Sequence, residues 1–225
     1  MINIIKKYLT PFQMFEILGV VLFSIYFAIT NKENTPLYIT IDTIASICGI
    51  TCVVLCAGGK RAQYYWGTIN ILSYLFIAYS NQLYGEVMLN GLYYLPCQFF
   101  GLYYWKKHLT DKTGTVKSEK MKPSILILTL LGSIIFIYIY KLLLNYLGGN
   151  SAWLDSTTTI LSIVANFLMI LRYREQWIFW IIVNCFSVLM WILRNDYIMT
   201  AMWSFYLINS VYGLIIWTKN NKVLK

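Results

Sequence analysis

The chain has 225 residues, of which 59% are hydrophobic, 17% aromatic and only 12% charged, whereas a soluble domain of this size carries charges on about a quarter of its residues. That composition excludes a soluble globular domain and makes the chain an integral membrane protein. The net charge of +9 does not point to nucleic acid, because the basic residues lie in short clusters between apolar runs instead of on one basic face.

Runs long enough to cross a hydrocarbon core of roughly 30 Å fall near 14–30, 38–58, 64–80, 84–105, 124–144, 154–171, 177–193 and 197–217, which predicts eight spans. None alternates apolar and polar residues with period two, so helices are expected and not a barrel. Lys6 and Lys7 precede the first run, but no small-x-small cleavage site follows, and the run is read as a mature span. All five cysteines, Cys48, Cys52, Cys56, Cys97 and Cys185, fall inside apolar runs, against a disulfide framework or a CxxC metal site; Cys48, Cys52 and Cys56 share one helical face and are read as small packing groups ahead of a soft-metal stripe. The longest polar connection runs from Lys106 to Lys122 and is expected to be a mobile inner linker; His108, beside two lysines, is read as a surface residue.

The distribution of lysine and arginine sets the orientation. With the N-terminus inside, the inner segments hold Lys6, Lys7, Lys60, Arg61, Lys106, Lys107, Lys112, Lys117, Lys120, Lys122, Arg172, Arg174, Lys219, Lys222 and Lys225, and the outer loops hold Lys32 and Arg194. Both termini are therefore expected in the cytoplasm, with the chain in a bacterial inner membrane.

The second half repeats the first. The stretch from Asp42 matches that from Asp155, and Trp66, Asn70, Tyr84, Gly101 and Trp105 align with Trp180, Asn184, Tyr197, Gly213 and Trp217 at offsets drifting from 114 to 112 residues. Each repeat has three spans that start on the same side, so a linker helix must return the chain between them. The expected organisation is an N-terminal segment with an extra span (1–36), a first repeat (37–108), an inner loop and linker helix (109–150), and a second repeat with the tail (151–225). This is an all-α, SWEET-like 3+1+3 parallel-repeat bundle with one added helix and a site between the halves.

Polar residues deep in apolar runs need a partner helix or a hydrated cavity. Asn184, Tyr94 and Tyr206 fall near mid-span, and Asn70, Gln98, Asn209 and Asn90, with Thr51 and Asn166, lie near them. Trp177, Trp180 and Asn184 stand at i, i+3 and i+7, on one side of a helix; Trp177, at the start of its span, also suits an interfacial belt. An indole face beside an amide suits a planar, even cationic, ring. Asn90, Tyr94 and Gln98, spaced i, i+4, i+8, suit sugar hydroxyls. Interhelical hydrogen bonding accounts equally well for any one of these asparagines. Gly101 and Gly213 are read as close-packing positions ahead of hinges. Asp42, Asp155, Glu86, Asp196 and Glu16 lie toward the ends of their runs and Lys141 near an outer end, which predicts movement without a coupling ion; sodium held by amide and backbone oxygens is the alternative, and a non-transport membrane subunit built on the same aromatic and amide packing is the less favoured one. No nucleophile, base pair or metal cluster supports an enzyme, and no cofactor is expected.

From Asp42 to Trp217 the chain resembles the PnuC-type vitamin transporters, through the WxxWxxxN motif at Trp177, Trp180 and Asn184 and the paired endings Gly101 to Trp105 and Gly213 to Trp217. The resemblance implies uptake of nicotinamide riboside by facilitated diffusion through an occluded central site, trapping by a cytoplasmic kinase, and substrate contact at Trp177, Trp180 and Asn184. Asn90, Tyr94, Gln98, Tyr206, Asn209 and Asn70 are candidates by depth and repeat position. Thiamine and riboflavin carriers are relatives of the same type. The implied partners are the small-molecule solute and membrane lipid, and a homo-oligomer is compatible with the sequence.

Overall fold

A computed structural model describes residues 10–30, 35–80, 84–110, 114–147, 152–193 and 197–222. The expectations placed on Lys6, Lys7, Lys32, Lys112, Arg194, Asp196 and Lys225 lie outside the described residues. Helices occupy most of the rest: α1 (Pro11–Thr30), α2 (Pro36–Ala57), α3 (Gln63–Ser80), α4 (Tyr84–Met88), a π-helical turn (Leu89–Tyr94), α5 (Leu95–Lys107), α6 (Pro123–Tyr146), α7 (Ala152–Ile170), α8 (Gln176–Leu193) and α9 (Tyr197–Lys222). Among the described residues there are isolated bridges but no sheet.

Helix ends follow from local chemistry. The Thr35 hydroxyl accepts the Tyr38 N–H at 3.3 Å and Pro36 opens α2, while Pro123 opens α6. At the other end of α2, Gly59 takes φ 64° and the Lys60 N–H reaches back to the Leu55 carbonyl at 2.9 Å. After α7 the same turn is built on Arg172, at φ 63°, with the Tyr173 N–H on the Leu168 carbonyl at 3.0 Å. Glycine adopts this left-handed backbone freely and arginine does not, so the second turn needs other contacts to hold it.

The chain forms two compact units, Met1–Val116 and Lys117–Lys225. In the first, α1 packs on α2, α2 on α3, and α3 on the α4–π–α5 run; in the second, α6, α7, α8 and α9 pack in succession. Pro11–Thr30, Pro36–Ala57, Pro123–Tyr146 and Ala152–Ile170 are long and apolar enough to cross a membrane, and Gln176–Met190 is a shorter apolar stretch. Only 6% of the apolar stretch of α6 is buried, so the described residues leave nearly all of this helix's surface uncovered. The less apolar α3, α5 and α9 carry Asn70, Gln98 and Asn209.

The connection after α5 is not a free linker. The Val116 N–H donates to the Gly59 carbonyl at 2.9 Å, inside the first unit. Inside the second, the Glu119 N–H donates to the Arg172 carbonyl at 2.8 Å, the Arg174 N–H to the Glu119 carbonyl at 2.9 Å, and the Met121 N–H to Glu175 Oε2 at 3.0 Å. Ser118 Oγ donates to the Trp217 carbonyl at 3.0 Å, and Met121 is 4% exposed. The expectation of mobility rested on lysines and polar composition, which cannot register backbone pairing and a buried methionine.

Arg172 shows what secures the left-handed turn. Its guanidinium donates to Glu119 Oε1 at 2.6 Å and to the Lys117 carbonyl at 2.9 Å, and the residue is 4% exposed. In the first unit the neighbouring turn residue is Lys60, whose ammonium loses solvent on partial burial and is held below the usual lysine range.

Candidate functional site

The second unit gathers the tryptophan–asparagine motif. Trp177, in the first turn of α8, is 3% exposed and meets Trp217 of α9 edge to face, with ring centroids 5.9 Å apart. Its indole covers Gly213, where an added Cβ would lie 2.6 Å from the ring. Trp177 is therefore an interior packing residue, which corrects the belt reading: position at a span's start does not reveal that a glycine on the next helix admits the ring. Trp180 is half-buried and packs against a cluster of Met121, Leu161, Ala165, Leu168, Phe179 and Val183. Asn184 is 3% exposed, and its Nδ2 donates to Ser210 Oγ of α9 at 2.8 Å. Ser210 Oγ in turn donates to the Tyr206 carbonyl at 2.8 Å. Tyr206 is half-buried, its ring edge to face with Trp203 at 5.7 Å, and Asn209 is 1% exposed.

The first unit contains a lock of the same kind. Tyr64 is 1% exposed, meets Trp105 edge to face at 5.2 Å, and leaves no room for a Cβ at Gly101, which would lie 2.2 Å from its ring. Both glycines are thus close-packing positions, as expected. Tyr64 Oη and Trp177 Nε1 are both buried with no partner among the described residues. Asn70 Nδ2 donates to the Ala45 carbonyl of α2 at 2.8 Å. Asn90 is buried, with Nδ2 donating to the Glu86 carbonyl at 2.9 Å and to Glu86 Oε2 at 3.3 Å. Gln98 is 7% exposed and leans over Gly67, where a Cβ would lie 2.7 Å from Gln98 Oε1.

Two sequence expectations about register change. Asn90, Tyr94 and Gln98 do not follow regular α spacing, because Leu89–Tyr94 is a π-helical turn in which the Leu95 N–H bonds the Asn90 carbonyl, five residues back. Pro96 has no N–H to give and its ring crowds the preceding turn. That proline is the sequence signal for the irregularity. Asn90 and Gln98 are nonetheless buried, with Tyr94 half-buried beside Tyr93 at 5.1 Å.

The second change concerns the repeat. Gln63 and Gln176 each begin their helix after matching turns, and both are buried. Counting from them, Trp66 is the fourth residue of α3 and Trp180 the fifth of α8. Asn70 and Asn184 differ by one place in the same way, which is about 100° of rotation on a helix. Trp66 accordingly stands 39% exposed, and the two asparagines bond to different neighbours, α2 in one unit and α9 in the other. Aligning like with like concealed the one-residue shift.

Glu16, expected near the end of its run, is the sixth residue of α1 and 1% exposed, with neither carboxylate oxygen bonded within the described residues. Sequence reading also passed over Ser210 and the paired Gln63 and Gln176. Ser210 precedes Gly213 by three residues, as Gln98 precedes Gly101, and that spacing was the available signal.

Residues 39–219 match the model of the nicotinamide mononucleotide transporter family. The chain belongs to that family. The nicotinamide riboside transporter PnuC of Haemophilus influenzae is 33% identical over 220 residues, covering 95% of this chain and 94% of the relative. The protein of the same name from Neisseria mucosa is 39% identical over 187 residues, covering 79% of this chain and 71% of the relative. A crystal structure of the vitamin B3 transporter PnuC superposes with a TM-score of 0.78 at 35% identity, over 96% of this chain and 94% of that one. The family comprises transporters and not enzymes, and this member is a multi-pass membrane protein with an all-helical fold.

Proposed function

We propose that the chain takes up nicotinamide riboside across a bacterial inner membrane by facilitated diffusion, through eight spans and a central hydrated site, with both termini in the cytoplasm. The observation that carries the substrate is the likeness at 33% identity to a nicotinamide riboside transporter over nearly the full length of both chains. Trp177, Trp180 and Asn184 supply the motif contacts, with Gln98, Asn90, Tyr94, Tyr206, Asn209 and Asn70 as further polar and aromatic candidates. An indole face and carboxamides together suit a flat pyridinium and its ribose.

An inside-negative potential favours accumulation of a cation by about 2.3 kcal/mol per charge per 100 mV, without a coupling ion. Phosphorylation in the cytoplasm then adds negative charge and retains the product. The buried carboxylate of α1 stands outside the matched residues 39–219 and is assigned no part in transport. The test is uptake of labelled nicotinamide riboside into proteoliposomes, with thiamine and riboflavin in parallel and with the sodium and proton gradients removed in turn. Uptake confined to nicotinamide riboside and indifferent to both gradients is expected; dependence on either gradient overturns the uniport reading, and transport of another vitamin alone overturns the substrate.

A further inference from the structure

Asn184, Asn70 and Asn90 share a feature that composition and depth do not reveal: each gives an amide N–H to an acceptor in the protein. In the second unit Asn184 Nδ2 donates to Ser210 Oγ at 2.8 Å. A serine hydroxyl has one proton to give, and Ser210 gives it to the Tyr206 carbonyl at 2.8 Å, so towards Asn184 its oxygen is only an acceptor. The amide plane of Asn184 is fixed by this relay, with nitrogen toward α9 and Oδ1 turned away from it. In the first unit backbone carbonyls do the same work, Ala45 for Asn70 at 2.8 Å and Glu86 for Asn90 at 2.9 Å.

From this relay we propose that Ser210 is a positioning residue which holds the Asn184 amide with its carbonyl oxygen outward as an acceptor, so that transport selects a solute through the N–H donors of an uncharged carboxamide. The inference rests on the reading above that Asn184 meets the solute. A carboxamide NH₂ placed against Oδ1 gains a hydrogen bond; a group of the same shape without N–H leaves that oxygen dry and unpaired, and sites built this way reject the analogue strongly. Without the Ser210 hydroxyl, the Asn184 amide loses the acceptor that orients it and can turn its own N–H toward the solute. Discrimination then falls although the Ser210 hydroxyl bonds to Asn184 and the α9 backbone and not to the solute.

The probe is 3-acetylpyridine riboside, which keeps the cationic ring and ribose of nicotinamide riboside and replaces the NH₂ by CH₃. Binding of both compounds to the purified full-length protein is measured by titration calorimetry. The expected result is a preference of at least about tenfold for the carboxamide in the unaltered protein, retained in Ser210→Thr and reduced to within about threefold in Ser210→Ala. Equal binding of the two compounds by the unaltered protein overturns the inference while leaving the transport reading standing, and this arm depends on no variant. Failure to bind either compound removes both. A folded Ser210→Ala protein that keeps the full preference overturns the role of Ser210.

Discussion

In the first repeat the fifth residue of α3 is Gly67, and Gln98 of α5 leans into the space it leaves; in the second the fifth residue of α8 is Trp180, and the position three residues before the lock glycine holds Ser210. Where the first has a small residue on α3 and a long one on α5, the second has a large residue on α8 and a small one on α9. The locks beside them are alike: Tyr64 over Gly101 against Trp105, and Trp177 over Gly213 against Trp217. Each unit thus contains the same device, while one turn further along α3 and α8 the units differ in side-chain volume and in the position of the asparagine. The two interiors therefore differ: one unit holds an indole and an oriented asparagine, the other glutamine and asparagine amides.

The locks give the largest expected effects on stability. Gly101→Ala drives a methyl into the Tyr64 ring, and Gly213→Ala drives one into Trp177. Each is expected to cost about 1–3 kcal/mol or more, with Gly101→Ala the worse, and Trp177→Phe is expected to recover part of the loss in the Gly213→Ala background. Thermal unfolding in detergent measures this; an alanine tolerated at both sites would show that the aromatic–glycine locks do not hold the units.

Asn184→Leu comes next. It is expected to abolish solute binding while costing stability only about 1 kcal/mol, the scale of one interhelical hydrogen bond. A loss of fold without a solute-specific effect would make Asn184 a packing residue and remove the functional side of the comparison.

The two turns allow a smaller test. Glu119→Ala removes the ion pair that holds Arg172, but Glu119 is 49% exposed, so solvent screening limits the cost to below about 1 kcal/mol. Amide exchange at Glu119 and Arg174 should quicken, and exchange at Val116, paired with a glycine turn, should stay as it was. Gly67→Ala should be milder than either lock substitution, since the atom in its way is the end of a flexible glutamine side chain. The smallest effect is expected from Glu16→Gln: uptake should keep its rate and its independence of the proton gradient, and a large loss would bring α1 into the transport path.

Much of this was legible in the chain, and the exceptions are instructive. Helices fall along the predicted apolar runs because hydrocarbon leaves the backbone few other ways to satisfy its polar groups. Gly101 and Gly213 announced close packing, although not the rings that would use it. The burial of Trp177, the strap from Lys117 to Met121 and the orientation of Asn184 stayed hidden, since each depends on what a neighbouring helix or turn presents. The repeat was visible, but its one-residue shift within α3 and α8 was not, because letters align without regard to helical rotation.

The amino-acid sequence by itself determined the solvent of this protein, its helical class, its duplication and the residue types available to a solute, since all of these follow from local polarity and spacing. Tertiary structure alone decided which tryptophan became part of a lock, which stayed half-buried, and which way an asparagine points. Those outcomes turn on contacts between residues distant in the chain, where a rotation of one residue or the absence of one Cβ changes the partner.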